Sequence, residues 1–324
     1  MTPFSQSVTS AEWNVEAESW IAEQLAGADL SVTGAIEHPR VRPWSTQLVV
    51  PTDGGTVWFK ANCSAQGFEP RLQALLSRLA PGAVDEPLAF DGDRAWMLTR
   101  DRGATLGDSR APTVDDWRRV VRAWATLQSQ IAAHGRELLD AGVPDCSPLT
   151  VPARLEEMIG ALAGLPDDHP AHLSAELADR LEEARPLVAA AARTLGDSPL
   201  PALLQHGDLH PWNVFTVDGE LRVFDFGDAQ WAHPLESLCI PWAITREDGA
   251  VPWSELLAAY REPWAELLTF DELGDLMAAA AVTQPVNRSF TWWECLAQAT
   301  EDEWREWGEA PVRHLSNVLE PWPR

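Results

Sequence analysis

The chain has 324 residues, of which 49 are acidic and 24 basic, so its formal net charge is −25. Hydrophobic residues make up 45% of the chain and charged residues 23%, values typical of a globular protein, and wholesale disorder is therefore excluded. The acidity argues against nucleic acid as a partner, because most of the surface would repel a phosphate backbone. No apolar run approaches the roughly 18 residues of a membrane helix, and no basic residue precedes Arg40, so neither a membrane span nor a secretory signal is expected.

Cysteine and lysine usage add two expectations. The four cysteines lie far apart without a CxxC pair, which predicts reduced thiols in a cytoplasmic protein rather than disulfides or a zinc site: Cys63, Cys146, Cys239 and Cys295. Of the 24 basic residues, 23 are Arg and only Lys60 is Lys. A position that keeps a compact ammonium in such a chain is a candidate for a role that a forked guanidinium cannot fill.

The first hundred residues alternate helix and strand signals. A capping-box pattern at 9–12 starts a helix with apolar residues at helical spacing up to residue 25. Strands are expected over 31–38, 46–51 and 56–61, the last two joined by a tight turn. An amphipathic helix follows over 68–79, and two further strands are expected over 88–90 and 95–99. The predicted order is three strands, one helix and two strands.

From about residue 106 the pattern becomes mostly helical. A helix begins near residue 113, and others are expected over 152–163, 171–195, 253–268 and 271–299. A short β island at 203–226 interrupts them. Within it, Asp218-Gly219 between alternating apolar residues predicts a two-residue hairpin turn.

This hairpin fixes which side chains meet. With that turn Val217 faces Glu220, and counting back places Asn213 opposite Phe224, with Asp225 as the next residue. An amide oxygen and a carboxylate are thereby brought together, and both are hard oxygen ligands of the kind that hold magnesium beside phosphates. Asp208 precedes the hairpin, close enough to address a hydroxyl group near that metal.

These residues carry a resemblance. His206-x-Asp208-x-x-x-x-Asn213 followed by Asp225-Phe226-Gly227 matches the catalytic loop and metal-binding motif of protein kinases in order and spacing. The surrounding HGDLHPWN and the short hairpin resemble the aminoglycoside phosphotransferase (APH) family more closely. The resemblance extends from about residue 31 to 238. It implies that Asp208 is the catalytic aspartate that accepts or orients the substrate hydroxyl and that Asn213 and Asp225 hold Mg²⁺.

The resemblance also assigns a nucleotide-binding role to the single lysine. Lys60 of the third strand would contact the phosphates of ATP or GTP and pair with a carboxylate on a helix. Glu69 is the only acidic residue between positions 53 and 85, so it is the natural partner. A merely favourable charge at a helix start is the alternative for Glu69.

The sequence departs from the family at two places. No GxGxxG precedes the lysine, and the corresponding loop is expected over 38–45. The phosphates would therefore be bound by backbone amides, Ser45 or Arg42. Residues 232–236 read Ala-His-Pro-Leu-Glu where relatives often carry Gly-Asp-Pro, which indicates an unusual substrate side.

Three polar residues near the motif have competing interpretations. His206 and His210 lack a thiol or a third histidine to complete a metal site, so we expect both to fix the loop backbone by hydrogen bonds. Asp228 reaches either the metal or a substrate amine, or else it caps the following segment.

Together these features predict an α+β, bilobal, protein-kinase-like fold. A nucleotide-binding lobe with an antiparallel sheet is expected over 1–102, and a larger, mostly helical catalytic and substrate-binding lobe over 103–324, with the hinge near 98–102. The expected activity is transfer of the γ-phosphoryl group of a magnesium nucleoside triphosphate to a hydroxyl of an antibiotic-like or amino-sugar-like acceptor. The alternatives are a kinase for choline, homoserine or a sugar, and a nucleotide-binding pseudokinase. No obligate protein partner is evident.

The C-terminal end suggests a property of the acceptor. Residues 231–324 hold 16 acidic and 6 basic side chains and 9 of the 17 Trp residues, most densely over 292–309. Carboxylates such as Glu294 beside aromatic faces suit an acceptor with a cationic amine. Core tryptophans next to solvated charges are the alternative.

Overall fold

The N-terminal part contains the expected sheet. The computed structural model describes residues 2–249 and 251–320. Its first elements are α1 (Phe4–Val8), α2 (Ala11–Gly27), β1 (Glu37–Val41), β2 (Ser45–Thr52), β3 (Gly55–Asn62), α3 (Glu69–Leu79), β4 (Ala89–Asp91) and β5 (Trp96–Arg100). The five strands form one antiparallel sheet in the order β1-β2-β3-β5-β4. The predicted order of three strands, one helix and two strands is confirmed.

The first strand is displaced from its predicted position. It spans Glu37–Val41 rather than 31–38, and the residues before it meet the end of β2 only through an isolated bridge between Val32 and Thr52. Pro51 lies at that end of β2 and has no N–H to donate, so a regular ladder cannot continue there. The predicted loop over 38–45 consequently shrinks to the three residues between β1 and β2, Arg42, Pro43 and Trp44.

Several helix ends also differ from the sequence prediction. Ser10, not Thr9, caps α2, because its side chain accepts from the backbone N–H of Trp13. The helix predicted from 171 begins only after the cap residue Ser174. The helix predicted over 253–268 ends at residue 261, where a 3-10 turn containing Pro263 follows.

The rest of the chain is mainly helical, as predicted. Its helices are α4 (Leu106–Ser109), α5 (Val114–Ile131), α6 (Gly135–Asp140), α7 (Val151–Ala163), α8 (Ala175–Gly196), α9 (Cys239–Asp248), α10 (Trp253–Arg261), α11 (Phe270–Leu296), α12 (Glu301–Trp307) and α13 (Ala310–Ser316). The β island supplies β6 (Leu203–Gln205), β7 (Val214–Val217), β8 (Glu220–Val223) and β9 (Gln230–Ala232). Strand β6 pairs with β9, and β7 pairs with β8.

The apolar cores explain how the site is supported. One core lies between the five-stranded sheet and α2 and contains Trp20 and Phe59. A larger core joins α3 to α5, the β island, α10 and α11, and Trp124 is fully buried within it. A third core packs α7 and α8 against α11 and the C-terminal helices. Helix α11 contributes to two of these cores, so the side chains that it directs toward the β island have a rigid base.

The architecture is thus the predicted α+β, bilobal, protein-kinase-like arrangement. The boundary after residue 102 lies between β5 and α4 and stays a prediction. All four cysteines are buried and free of disulfides. In the described residues no helix combines the length and apolar character that crossing a membrane requires.

Candidate active site

The loop between β6 and β7 is held in place by its first histidine. His206 is buried, and its Nε2 donates to the carbonyl oxygen of Phe224 over 3.0 Å. Its Nδ1 accepts from the backbone N–H of Asp208 over 3.3 Å. This pair of contacts assigns the neutral tautomer, and burial lowers the pKa of His206 accordingly. The expectation that His206 fixes the loop backbone agrees with this arrangement.

Gly207 allows the loop to approach the segment Asp225-Phe226-Gly227, which we call the DFG segment. Its φ is +81°, and a Cβ atom at this position would lie 2.1 Å from the backbone oxygen of Asp228. Only glycine combines this backbone conformation with such a close approach. The sequence His-Gly-Asp therefore brings Asp208 beside the segment that carries Asp225.

Asp208 lies in the loop with an accessible carboxylate. Its side chain is 36% exposed, and its Oδ2 is 3.2 Å from Nε2 of His210. His210 thus contacts this carboxylate rather than the loop backbone, which differs from the expectation for that residue. Burial raises the pKa of Asp208, but the hydrogen bond from His210 and the positive charge of Arg288 outweigh it and hold the pKa below its usual range. The carboxylate is therefore ionised at neutral pH and able to accept a hydrogen bond from a hydroxyl group.

The hairpin has the predicted register. Val217 pairs with Glu220 and Val214 with Val223, and the backbone oxygen of Asn213 accepts from the N–H of Phe224 over 3.1 Å. Asp225 follows with φ +64° and ψ +66°, a left-handed conformation that is uncommon for a residue with a side chain. Such conformations persist where the surroundings fix them, and they are frequent at functional sites.

Lys60 connects the sheet to this aspartate. Its Nζ lies 2.7 Å from Glu69 Oε2 and 2.7 Å from Asp225 Oδ1. Glu69 is fully buried and also accepts a hydrogen bond from Asn62. Burial lowers the pKa of Lys60, but the carboxylates of Asp225 and Glu69 outweigh it and raise the pKa above its usual value. The ammonium is therefore permanently charged, and the predicted contact between Lys60 and Glu69 is present.

Two side-chain oxygens suit a magnesium ion. The amide nitrogen of Asn213 donates to the backbone oxygen of Asp208 over 2.9 Å, so its Oδ1 is the atom left for a metal. The Asp225 side chain is 34% exposed, and Lys60 contacts its Oδ1, which leaves Oδ2 available. The described residues contain no group of three His, Cys, Asp or Glu side chains that could hold a metal alone. Mg²⁺ is commonly bound by one or two carboxylates together with substrate phosphates and water, so this pair of oxygens fits that mode.

Two cavities meet at these residues. The larger, of about 410 Å³, lies between the five-stranded sheet and the hairpin, and Lys60 and Glu69 line it. The smaller, of about 280 Å³, lies toward α11, and Asp208 lines it. Arg40, Asn213 and Asp225 line both cavities. We name them the nucleotide-side cavity and the acceptor-side cavity, after the two substrates that the resemblance leads us to expect.

The turn between β1 and β2 covers the acceptor-side cavity. Trp44 meets Trp292 of α11 and Trp307 of α12 edge-on, with ring centroids 5.3 and 5.1 Å apart. Arg42 lies over the Trp307 ring at 5.5 Å. Ser45, which was expected to bind phosphate, is buried and lines this cavity rather than the nucleotide-side cavity. Contacts with the helical lobe thus hold this turn, which lacks the glycines of related loops.

Asp228 makes two contacts that the sequence did not predict. Its Oδ2 lies 2.6 Å from Nη1 of Arg288, which α11 contributes. Its Oδ1 accepts from Nε2 of Gln66 over 3.1 Å. The carboxylate is therefore already paired with a cation in the wall of the acceptor-side cavity.

The segment that replaces Gly-Asp-Pro is attached to α11. Glu236 is buried and accepts hydrogen bonds from Thr283 over 2.7 Å and from Asn287 over 2.9 Å. Burial raises the pKa of Glu236 to about 7, although these hydrogen bonds oppose the shift. The same helix carries Arg288, so this buried carboxyl helps to support the wall of the acceptor-side cavity.

The acidic tryptophan-rich segment divides between cavity, core and surface. Trp292 lines the acceptor-side cavity. Trp293 and Trp304 pack against the core formed by α7 and α8. Glu294 is exposed and lies outside the acceptor-side cavity. The alternative of core tryptophans next to solvated charges therefore describes most of this segment.

Sequence reasoning missed several residues of the acceptor-side cavity. Their contacts are long-range, and no local pattern distinguishes them from other residues of the same type: Arg40, Gln66, Arg288 and Thr291. The one signal in the sequence was an arginine in a long stretch with few other charges, which became the centre of α11.

Comparison with known proteins shows the family of the chain. The profile of the phosphotransferase enzyme family (APH) matches residues 67–273. The comparison with curated proteins gives no significant match.

Solved structures share the fold at low identity. A macrolide 2'-phosphotransferase from Brachybacterium faecium is 14% identical with a TM-score of 0.59, over 94% of this chain and 100% of that chain. An ethanolamine kinase from Plasmodium vivax is 10% identical with a TM-score of 0.63, over 95% of this chain and 89% of that chain. A choline/ethanolamine kinase family protein from Mesorhizobium loti is 15% identical with a TM-score of 0.56, over 94% and 95%. Since the family profile matches more than half of the chain, the chain belongs to the phosphotransferase enzyme family APH.

Proposed function

We propose that the protein transfers the γ-phosphoryl group of a magnesium nucleoside triphosphate, ATP or GTP, to a hydroxyl group of a small molecule. One observation carries this proposal. Two cavities meet at Asn213 and Asp225, with the charged Lys60 on one side and the ionised Asp208 on the other. A donor in the first cavity and an acceptor in the second would have their reacting groups at this junction.

The nucleotide-side cavity has walls suited to a nucleoside triphosphate. Apolar side chains from both lobes, among them Met97 of β5 and Val223 of β8, offer an apolar surface for a base. Lys60 lies near the junction, so its ammonium would contact the phosphates. Glu69 would act through Lys60 by holding it in place.

Asp208 would act on the acceptor hydroxyl. Its ionised carboxylate would accept a hydrogen bond from that hydroxyl and take its proton as the new phosphate ester forms. His210 and Asn213 hold the carboxylate in position through contacts of 3.2 and 3.3 Å to Oδ2. Phosphoryl transfer depends mainly on positioning and electrostatics, which fits a site built from fixed charges rather than from a nucleophilic side chain.

Asn213 and Asp225 would hold Mg²⁺ through the oxygens that remain available. The ion, when bound, would offset the negative charge of the phosphates. Lys60 already neutralises part of the charge of Asp225, and this ion pair keeps the pKa of Asp225 low although burial opposes it. Asp225 would therefore remain a carboxylate over the whole physiological range.

The relatives are named for acceptors as different as macrolides, ethanolamine and choline, so membership alone favours neither an antibiotic-like acceptor nor a metabolic one. The acceptor-side cavity of about 280 Å³ lies just below the roughly 300–1,000 Å³ of pockets that take drug-sized ligands. This volume favours an acceptor of sugar or amino-alcohol size.

The test is release of nucleoside diphosphate by the purified protein with Mg-ATP or Mg-GTP and a panel of hydroxylated compounds. We expect release that depends on one class of acceptor and is lost in Asp208→Asn. In parallel, Mg-nucleotide should raise the Tm of the wild type and of Asp208→Asn, but not that of Lys60→Ala. Nucleotide binding without acceptor-dependent release by any compound would favour a pseudokinase and contradict the proposal.

A further inference from the structure

Arg288 is a buried cation in the wall of the acceptor-side cavity. It lies on α11 with only 9% of its surface exposed. Its ion-pair partner is Asp228, 2.6 Å from Nη1, and its guanidinium lies 5.7 Å from the centre of the Trp292 ring. Its Nε has no hydrogen-bond partner in the described part of the chain. A guanidinium carries five N–H donors, so one carboxylate contact leaves most of them unused.

Other donors around this cavity are also without partners. The indole Nε1 of Trp292 and the Nε of Arg40 are buried and make no hydrogen bond to the described residues. Leaving buried donors unpaired is costly, and each such group calls for an acceptor supplied by water or by a ligand. The wall of the cavity therefore presents donors that a bound molecule rich in oxygen would satisfy.

The charges around the cavity disfavour a cationic acceptor. Asp225 is paired with Lys60 and Asp228 with Arg288, so Asp208 is the carboxylate that no lysine or arginine contacts. Asp208 is the residue proposed to address the hydroxyl. An ammonium group in this cavity would find no further carboxylate and would lie close to two guanidinium groups.

We propose that Arg288 binds a carboxylate of the acceptor, so that the acceptor is a small hydroxy acid and Arg288 determines specificity for it. This inference rests on the proposed function, because it concerns the second substrate of the same site. Guanidinium and carboxylate match each other in a two-point hydrogen bond, which combines charge with fixed geometry. The acceptor would thus be held at one end by Arg288 and would present its hydroxyl to Asp208 at the other.

The experiment compares acceptors that differ only in one end group. The probes are three matched sets: glycerate, glycerol and 3-amino-1,2-propanediol; 4-hydroxybutyrate, 1,4-butanediol and 4-amino-1-butanol; and gluconate, glucitol and 1-amino-1-deoxyglucitol. Each set contains a carboxylate, a neutral compound and an amine of nearly equal size. Diphosphate release is measured with Mg-ATP and Mg-GTP. We expect the carboxylate to have the highest kcat/KM in every set that is turned over.

Variants of Arg288 assign the preference to this side chain. Arg288→Gln should lower kcat/KM for the carboxylate roughly 10–100-fold, mainly through KM, because a charge-assisted hydrogen bond is lost. It should lower the value for the neutral compound much less than that for the carboxylate, since the neutral compound does not need the charge. Arg288→Lys should recover part of the loss. Arg313→Gln, at an exposed position of α13, serves as a control and should behave as the wild type.

Loss of Arg288 leaves Asp228 buried without its cation, so Arg288→Gln could fold poorly. The double variant Arg288→Met with Asp228→Asn removes both charges together and should retain the fold. Its thermal unfolding with and without Mg-nucleotide verifies this independently of the acceptor. The double variant should also lose the preference for carboxylates.

The outcomes separate this inference from the proposed function. Higher kcat/KM for a neutral compound or an amine, the absence of turnover with all three carboxylates, or an equal loss for all members of a set in Arg288→Gln would overturn the role of Arg288. The first of these results would leave phosphoryl transfer intact. The proposed function fails only when no compound of any charge gives release that depends on Asp208.

Discussion

Substitution of Gly207 by alanine tests whether the loop must approach the DFG segment as closely as the structure shows. Gly207 has φ +81°, and an added Cβ would lie 2.1 Å from the backbone oxygen of Asp228. Gly219, at the hairpin turn, offers a matched control. Its φ is +87°, but a Cβ there would meet nothing within 4 Å. Both variants therefore share the backbone strain, and only Gly207→Ala adds the steric conflict.

The backbone strain and the steric conflict determine how much stability each variant loses. An alanine in a left-handed conformation costs about 1–2 kcal/mol, which we expect for the stability of Gly219→Ala. Real Cβ contacts essentially never fall below 3.0 Å, so the loop and Asp228 must separate by at least 0.9 Å in Gly207→Ala. Overpacking of this kind adds about 1–3 kcal/mol. A displacement near 1 Å at a reacting group also costs on the order of 10² in rate, because Asp208 is the next residue.

Two measurements check this reasoning. Denaturant-induced unfolding gives the loss of stability, and kcat/KM with the best acceptor of the panel gives the loss of activity. We expect Gly219→Ala to keep near wild-type kcat/KM and Gly207→Ala to lose roughly two orders of magnitude. Equal stability and equal activity of the two variants would refute the argument from close approach.

Four further predictions concern charged residues. Asp208→Asn should keep the fold and Mg-nucleotide binding but lower kcat about 10²–10⁴-fold. Turnover of this variant at the wild-type rate would contradict a catalytic role for Asp208. Lys60→Arg should impair activity as Lys60→Ala does, since a forked guanidinium does not replace a compact ammonium that contacts both Glu69 and Asp225 at 2.7 Å. In a double-mutant cycle, Lys60→Ala and Glu69→Ala should show a coupling energy of about 0.5–3 kcal/mol, whereas additive effects would show that the two residues act independently. Because burial raises the pKa of Glu236 from 4.5 to about 7, the folded protein binds more protons than the unfolded chain between these values, and stability falls as the pH rises through this window. The unfolding free energy of the wild type relative to Glu236→Gln should therefore drop by about 3 kcal/mol between pH 4.5 and 8, and a difference that does not vary with pH would contradict it.

The hairpin and its neighbours could be predicted because local rules determine them. An Asp-Gly turn fixes the register of the two strands, and the register places Asn213 opposite Phe224. The contact between Lys60 and Glu69 could be inferred because each is unique in its part of the sequence. Contacts of this kind can be predicted because the two residues are close in sequence or because only one residue of the required type is present.

The acceptor-side cavity could not be predicted, because tertiary packing builds it. Arg288 meets Asp228 across 60 positions of sequence, and 22 other arginines have the same chemistry. Trp44 meets Trp292 only because the turn between β1 and β2 packs on α11. The position of that turn depends in part on where β1 begins. Because of Pro51 in β2, β1 begins later in the chain than the sequence predicts.

The acidic C-terminal segment and the acceptor-side cavity lead to opposite expectations about the acceptor. Carboxylates beside tryptophans in that segment predict an acceptor with a cationic amine. Charges at an exposed surface are screened over about 8–10 Å at ordinary salt concentrations, so they act weakly on a molecule inside the cavity. The charged side chains that line the cavity are Arg40, Arg288 and three aspartates, of which two are already paired with cations. We therefore expect these few contacts to decide which small acceptor is recognised, and to favour an acceptor with an anionic group.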